Sequence, residues 1–597
     1  LDELPEIPDV IVVAVAGASA VAQITRAAQL GVKGCVIMSS GFGETGDEQG
    51  LAWQREMIAA ASQTGMRLVG PNAQGLASFH SGAVLSFSTL FTEQPPEDGP
   101  VAIVSQSGAM CSVPYGLLRE AGIGVRYAHG TGNDIDVTAA ELAATAVADP
   151  AIQLLLMYLE DFSDLDSIAE VARVARERDV PVVVLKGGRS EAGQKAAASH
   201  TGALATEEQV VDAFLEKHGI WRARSTHDLV AAVPLYLRRT RPRGERLAIV
   251  SNSGAICVLS ADAAADNGLS LATLSSDSRT RLRADLPHFA SVDNPIDVTA
   301  ALLTDSSLFG KVLPVLADDD EVDAVVLGIP VAGRGYDVDR FAADVAEFED
   351  SSGVPVVLAV PQKSVAQVFK DAGAVVFADE SQAVGALAQY LRHHERMRRA
   401  AARGTGATPR RSRDEGPRVV LNEARSLEML ASVGVPVVEH AVVNSAADAA
   451  AAFSALGGNP VVVKGCSSEV THKSELGLVK VGISDSASAT RTVQTMLDRM
   501  GQAGVANEGV ILATMVESVH EAMLGARLDP VFGPVVLVGA GGIYLEEMPD
   551  VQFLLPPFDV DEALAAIGRL RISAVLGGAR GRPPVDVRAW AEAAVRV

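Results

Sequence analysis

VAIVSQSGAM at Val101–Met110 recurs as LAIVSNSGAI at Leu247–Ile256, and DIDVTAA at Asp134–Ala140 recurs as PIDVTAA at Pro295–Ala301. The chain therefore carries two copies of one α/β unit. In each copy an apolar run with the composition of a buried parallel strand breaks at Ser-Gln/Asn-Ser-Gly and continues into an alanine-rich helical pattern. The first N–H groups of such a helix have no partner within it, and the macrodipole favours negative charge there, so each turn is a candidate anion site. The residues concerned are Ser105, Gln106, Ser107 and Gly108 in the first copy, and Asn252, Ser253 and Gly254 in the second.

The copies differ after their later strands. The first continues PVVVLKGGRSEAGQKAAASHTGALA from Pro181, whereas the second reads PVVLAVPQKSVAQVF from Pro355. Only the first presents an imidazole, His200, on a run of small side chains beyond the carboxyl end of a strand, where open α/β sheets place their ligands. A histidine that is largely neutral near pH 7 is a competent nucleophile toward phosphorus. The asymmetry suggests one phosphate held between two helix starts, with His200 reaching it.

The chain has 597 residues, 48% of them hydrophobic. That is enough for several cores and roughly three to five domains. With 50 Lys+Arg against 74 Asp+Glu the net charge is −24, a field that repels nucleic acid and anionic membranes. Anionic substrates must be held by local donors. The four cysteines, Cys35, Cys111, Cys257 and Cys466, lie far apart in apolar segments without metal-ligand spacing, as in a reduced cytoplasmic protein. No apolar run approaches the ~20 residues of a membrane span, and no leader pattern opens the chain.

Composition divides the chain into a Rossmann-like segment over 1–95, the first duplicated unit over 96–240, the second over 244–400, an Arg/Gly/Thr/Pro-rich linker over 398–418, and a last domain over 419–597. The last domain places Lys464 at the end of an apolar strand, His472 in SSEVTHKS, and Gly541-Gly542 at the end of another strand. A lysine there suits phosphate neutralisation, and glycines let backbone approach a nucleotide.

In this order the motifs GFGETGDE, GPNAQG, IVSQSGAM, MYLEDF, LKGGRSEAGQKAAASHTGALA, IVSNSGAI, NPIDVT, LNEARSLEMLASVGVPV, VVVKGCSSEVTHKSELGLVKVGI and DPVFGPVVLVGAGGIYLEE resemble the NDP-forming acyl-CoA synthetases, the ADP-forming acetate-CoA ligase family related to succinyl-CoA synthetase. The resemblance implies a multidomain α/β fold: a Rossmann-like CoA-binding domain, two flavodoxin-like domains and an ATP-grasp domain. It implies that His200 is phosphorylated, that Glu160 orients it, and that the two Ser-Gly turns hold its phosphate. Lys464, Glu517, Gly541 and Gly542 would contact nucleotide, His472 would relay the phosphoryl group, and Ser40, Gly41, Phe42 and Asn72 would contact CoA. The partners implied are ATP/ADP, CoA, Mg2+ and a carboxylic acid, and a homodimer is admissible.

Against the family pattern, the first strand and glycine turn of the CoA domain are missing, Ala73 stands where a cysteine is usual, and the chain stops at Val597 before the usual Mg2+ ligands. Both termini therefore read as incomplete, and no metal ligand is assigned. A regulatory relative of the same fold would be expected to lose the active histidine, and a citrate-lyase-like enzyme to carry a further lyase domain. The acid pocket is expected near Leu85-Ser86-Phe87-Ser88 and Ala109-Met110-Cys111. Acetate, a branched acid or an aryl acid such as a hydroxycinnamate are all admissible there.

Overall fold

Runs such as Leu154–Leu159 and Val182–Lys186 are apolar at nearly every position, and a strand of that composition is stable only when both faces are covered. A computed structural model describes the chain except for residues 2, 191, 195–206, 239, 404–420, 471–472, 517–519, 543–549 and 579–582. His200, His472 and Glu517 lie outside the described residues. The chain divides into two units, Leu1–Thr405 and Gly406–Val597.

The first unit opens with three parallel strands in sequence order, Val10–Val13, Gly34–Ile37 and Arg67–Val69. Helices Gly17–Leu30 and Glu48–Thr64 pack on them around Ile24, Ile37, Phe42, Met57 and Leu68. Asp47 caps the second helix by accepting from Gly50 N at 2.8 Å.

The next sheet runs in the order Trp221–Ala223, Val182–Lys186, Leu154–Leu159, Val101–Ser105, Val125–Gly130, Gly75–Ser78, Ala83–Ser86. Its first five strands are parallel, and numbered along the chain from Val101 they lie in the flavodoxin-like order 2-1-3-4-5, read from the Val125 end. Gly75–Ser78 and Ala83–Ser86 add to it antiparallel, with Gly75 opposite Gly130 and Ser78 opposite Tyr127. This departs from the sequence boundary at residue 95. Burial of Gly75 and Ala77 in alternation with Leu76 and Ser78 commits the segment to the neighbouring sheet.

The second copy repeats the order, with Ser270–Leu271, Arg246–Ser251, Ala324–Gly328, Val356–Ala359 and Val376–Phe377 parallel, and Ile296–Asp297 pairing with the carboxyl end of Arg246–Ser251. One apolar core joins the copies through Tyr236, Leu235, Leu387, Tyr390 and Leu391. Helix Glu380–Ala402 belongs to that core and runs past 398, where composition alone starts the linker. Met397 and Ala400 are buried, and Arg398 and Arg399 pair with Glu395 one turn back, so the helix is paid for to its last turn.

The second unit has two antiparallel sheets among its described residues. One runs His440–Val443, Val510–Thr514, Val461–Gly465, Val479–Ile483, and the other Ala522–Asp529, Gly533–Ala540, Val551–Leu554. No helix among the described residues is long and apolar enough to cross a membrane.

Candidate active site

In a 2-1-3-4-5 sheet the ligand crevice opens between strands 1 and 3, beyond their carboxyl ends. Here those ends are Ser105, followed by the Gln106-Ser107 turn, and Leu159, followed by Glu160. Ser105 is fully buried, donates through Oγ to Ser107 O at 2.6 Å and accepts from Ser107 N at 3.0 Å, so it shapes the turn from within. Ser107 caps helix Gly108–Glu120 by accepting from Met110 N at 3.4 Å.

Gln106 joins the two strand ends. Its backbone N donates to Tyr158 O at 3.1 Å, and its Oε1 accepts from Glu160 N at 2.5 Å. Its Nε2 donates to Asp134 Oδ2 at 3.0 Å, which also accepts from Ala139 N at 2.8 Å. The carboxamide is therefore a brace between strand ends, which leaves backbone N–H groups as the donors this turn could offer an anion. Burial pushes the Asp134 carboxyl up to about 6 against the hydrogen bonds from Ala139 N, Thr131 and Gln106, and its φ is +51°. The sequence pattern contains Asp134 in DIDVTAA, but nothing local marks it as the far end of a brace.

Glu160 and Tyr158 lie two residues apart on the same side of their chain. Burial, then the Glu160 charge and a hydrogen bond to its carboxylate, push the Tyr158 hydroxyl up to about 12. A Cβ on Gly187 would stand 2.6 Å from Tyr158 Oη, so this position of the first glycine after Lys186 leaves room for the pair. The stems of the segment that carries His200 are tied together: Lys186, at the end of its strand, pairs with Glu208, the first residue of helix Glu208–Lys217, at 3.1 Å, and both side chains are largely buried.

The second Ser-Gly turn has the same backbone plan and different chemistry. Ser251 Oγ donates to Gly328 O at 2.8 Å and accepts from Ser253 N at 3.1 Å. Asn252 Nδ2 donates to Val331 O at 3.0 Å, while its Oδ1 is buried without a partner among the described residues. Ser253 makes no side-chain cap to the Gly254–Asp266 helix. Asp297 Oδ2 stands 3.0 Å from where a Cβ on Gly254 would be, bringing a protein carboxylate to this helix start. Its counterpart in the first copy, Asp136, is turned instead to Arg67 and to Leu68 N.

Ser40, Gly41, Phe42 and Asn72 come together with Glu44 and Asn133. Glu44 Oε1 accepts from Gly41 N at 2.6 Å and Phe42 N at 3.3 Å, its Oε2 accepts from Asn133 Nδ2 at 2.5 Å, and Asn72 N donates to Ser39 O at 2.9 Å. Gly41 and Asn72 have φ of +97° and +59°. The Phe42 ring is fully buried edge-on to Trp53, so Phe42 has only backbone to offer a ligand.

In the second unit Lys464 ends its strand as expected, but its Nζ donates to Glu423 Oε1 at 2.7 Å, and Lys473 donates to the other oxygen. Burial raises the Glu423 carboxyl, and the two lysine hydrogen bonds outweigh it and hold the group below its ordinary value. Gly541 N donates to Glu521 O at 2.8 Å, and Gly542 has φ of +104°. Among the described residues no three His, Cys, Asp or Glu side chains gather to hold a metal ion.

A duplicated flavodoxin-like pair followed by a mainly antiparallel unit, with Ser-Gly helix starts and a strand-end carboxylate, gives a fold of the succinyl-CoA ligase type. Family models agree: a succinyl-CoA ligase like flavodoxin domain matches residues 98–236, a ligase-CoA domain 247–367, and an ATP-grasp domain 411–597. The chain is 30% identical to a trans-feruloyl-CoA synthase of an unknown prokaryotic organism, covering 100% of this chain and 85% of that protein. It is 30% identical to the ADP-forming acetate–CoA ligase I of Archaeoglobus fulgidus, covering 100% and 86%. It is 27% identical to the ADP-forming 4-hydroxybutyrate–CoA ligase of Nitrosopumilus maritimus, covering 98% and 85%. Among solved structures it is similar to the acetyl-coenzyme A synthetase 1 of Ca. Korarchaeum cryptofilum in complex with phosphate and ADP, with TM-score 0.60, 26% identity, and coverage of 68% of this chain and 87% of that one. The chain belongs to the ADP-forming acyl-CoA synthetase family, and is an acid–thiol ligase.

Proposed function

We propose that the protein converts ATP, a carboxylic acid and CoA reversibly into acyl-CoA, ADP and phosphate, through a phosphohistidine at His200 and an acyl phosphate. The γ-phosphoryl group of ATP passes to a ring nitrogen of His200, directly or by way of His472, forming an N–P bond there as the bond to the ADP oxygen breaks. A carboxylate oxygen of the acid then attacks that phosphorus, forming O–P and releasing the imidazole. The CoA sulfur attacks the acyl carbon, forming C–S as the C–O bond to phosphate breaks, and the thiol proton passes to the departing phosphate or to water. Glu160, accepting the N–H of one imidazole nitrogen, leaves the other with its lone pair and stabilises the charge that develops on phosphorylation. Backbone N–H groups of the Ser105–Gly108 and Ser251–Gly254 turns are the donors for the phosphoryl oxygens. Mg2+ takes most of its ligands from nucleotide phosphates and water.

The observation that supports this reading is the hydrogen bond from Glu160 N to Gln106 Oε1, which ties the strand-end carboxylate to the turn that opens the Gly108 helix. Lys464 and Lys473, facing each other across Glu423, are the cations for nucleotide phosphate. The acid is of the class taken by the relatives: acetate, 4-hydroxybutyrate or ferulate. The test is acid-dependent and CoA-dependent release of ADP, with γ-labelled ATP giving an acid-labile, base-stable label on the protein. His200→Asn should lose both label and turnover while still binding CoA. Turnover in that variant overturns the proposal.

A further inference from the structure

Gln74 follows the Pro71-Asn72-Ala73 turn, and its side chain lies against the start of the Gly108 helix. A Cβ on Gly108 would stand 3.0 Å from Gln74 Cβ, and one on Gly130 would stand 3.0 Å from Gln74 Cβ and 3.5 Å from its Oε1. Glycine at both places, one opening the anion turn and one ending the neighbouring strand, makes the space this side chain fills. One end of the carboxamide is anchored: Nε2 donates to Ser112 Oγ at 2.7 Å, and Ser112 Oγ shares a hydrogen bond of 2.9 Å with Ser88 Oγ. Ser86 Oγ donates to Gln74 O at 2.9 Å, holding the backbone beneath it.

The other end of the carboxamide, Oε1, is buried and has no hydrogen-bond partner among the described residues. Buried amide groups almost always have both ends satisfied, and an unsatisfied one disfavours the state that contains it. Turning the amide over does not remove the defect, because the NH2 group is then the one left unpaired. A hydroxyl both donates and accepts, so it satisfies the amide in either orientation.

We infer that Gln74, anchored by Ser112 and Ser88 beside the Gly108 helix start, recognises a hydroxyl on the acyl group, and that the acid is a short hydroxy acid. The inference rests on the function proposed above. An acyl phosphate whose phosphoryl group sits on the N–H groups of the Ser105–Gly108 turn has its acyl carbons next to Gln74, so the hydroxyl it meets is only a few bonds from the carboxyl. The phenol of an aryl acid lies across a ring, beyond that reach.

The test is a panel of butyrate against 2-, 3- and 4-hydroxybutyrate, and cinnamate against its 4-hydroxy derivative, with ATP and CoA, read as kcat/KM from ADP release. At least one hydroxybutyrate should exceed butyrate by tenfold or more, while the aryl pair differs less than threefold. Gln74→Leu should bring the hydroxybutyrate-to-butyrate ratio to within threefold of one, chiefly by lowering turnover of the hydroxy acid. Should that variant not fold, Ser112→Ala, which frees the anchored end, should lower the same ratio at least threefold. A wild-type ratio near one, a preference confined to the aryl pair, or a ratio that survives Gln74→Leu overturns the inference while leaving the ligase reading intact. Absence of ADP release with every acid of the panel and with acetate and ferulate, in protein that binds CoA, overturns the ligase reading and this inference with it.

Discussion

Asp134, which braces Gln106, is a carboxyl whose ionisation the fold opposes. Its folded-state value of about 6 lies above the ordinary 3.8, with burial as the largest cause and the Asp161 charge adding to it. A carboxyl raised in the folded state gives stability that is full below pH 3.8 and lost as pH rises through about 6. Asp134→Asn, which retains an acceptor for Gln106 Nε2 and Ala139 N, should therefore stabilise the protein above pH 6, by at most about 3 kcal/mol, with the gain vanishing below pH 4. Urea denaturation at pH 4 and pH 7 measures the difference; an equal gain at both would mean that ionisation is not the cause. Glu160→Gln should keep the fold and slow single-turnover phosphorylation, since it removes the charge that supports the imidazolium. Gly187→Ala, which puts a methyl 2.6 Å from Tyr158 Oη, should cost about 1–3 kcal/mol and slow the same step, because Tyr158 must leave Glu160. Of these residues, the motifs marked Glu160 by position. Asp134 and Tyr158 were silent: the partner of Asp134 lies 28 residues away, and Tyr158, although its spacing from Glu160 is local, owes its shift first to burial, which the sequence does not record.

At the scale of the element, two helices with nearly identical opening sequences differ in how they begin. Ser107 caps the Gly108 helix and Ser253 does not cap the Gly254 helix, where Asp297 stands instead. Ser107→Ala should lower stability by about 1 kcal/mol and Ser253→Ala by a few tenths at most, as measured by thermal denaturation. Equal losses would show that the two turns are capped alike. Strand and helix positions in both copies were legible in sequence because apolar runs and turn residues are local signals. The fate of Gly75–Ser86 was not. Short, mixed strands take their register from whichever edge is available, and here that edge is Val125–Gly130.

For the whole molecule, the two candidate phosphate centres lie on different units: the Gln106–Glu160 crevice on the first, and the Lys464–Glu423–Lys473 cluster on the second. If His472 relays the phosphoryl group covalently, His472→Ala should block labelling of His200 from ATP while leaving labelling of His200 from acyl-CoA and phosphate largely intact. Normal labelling from ATP in that variant would remove the relay and leave direct transfer.

The sequence by itself determined the duplication, the alternation of strand and helix, the negative charge, the strand-end lysine and carboxylate, and the family. Each is written in local order or composition, which survives without knowledge of what packs where. Only the tertiary structure decided that Gln106 braces Glu160 against Asp134, that Lys186 and Glu208 tie the stems of the histidine segment, that Asp297 attends one helix start and not the other, and that Gln74 leans on Gly108. All of these are contacts across tens of residues. A side chain of a given type has the same local signature whether it faces water or completes a hydrogen bond to a distant strand, and burial, which tells the two apart, exists only in the folded chain.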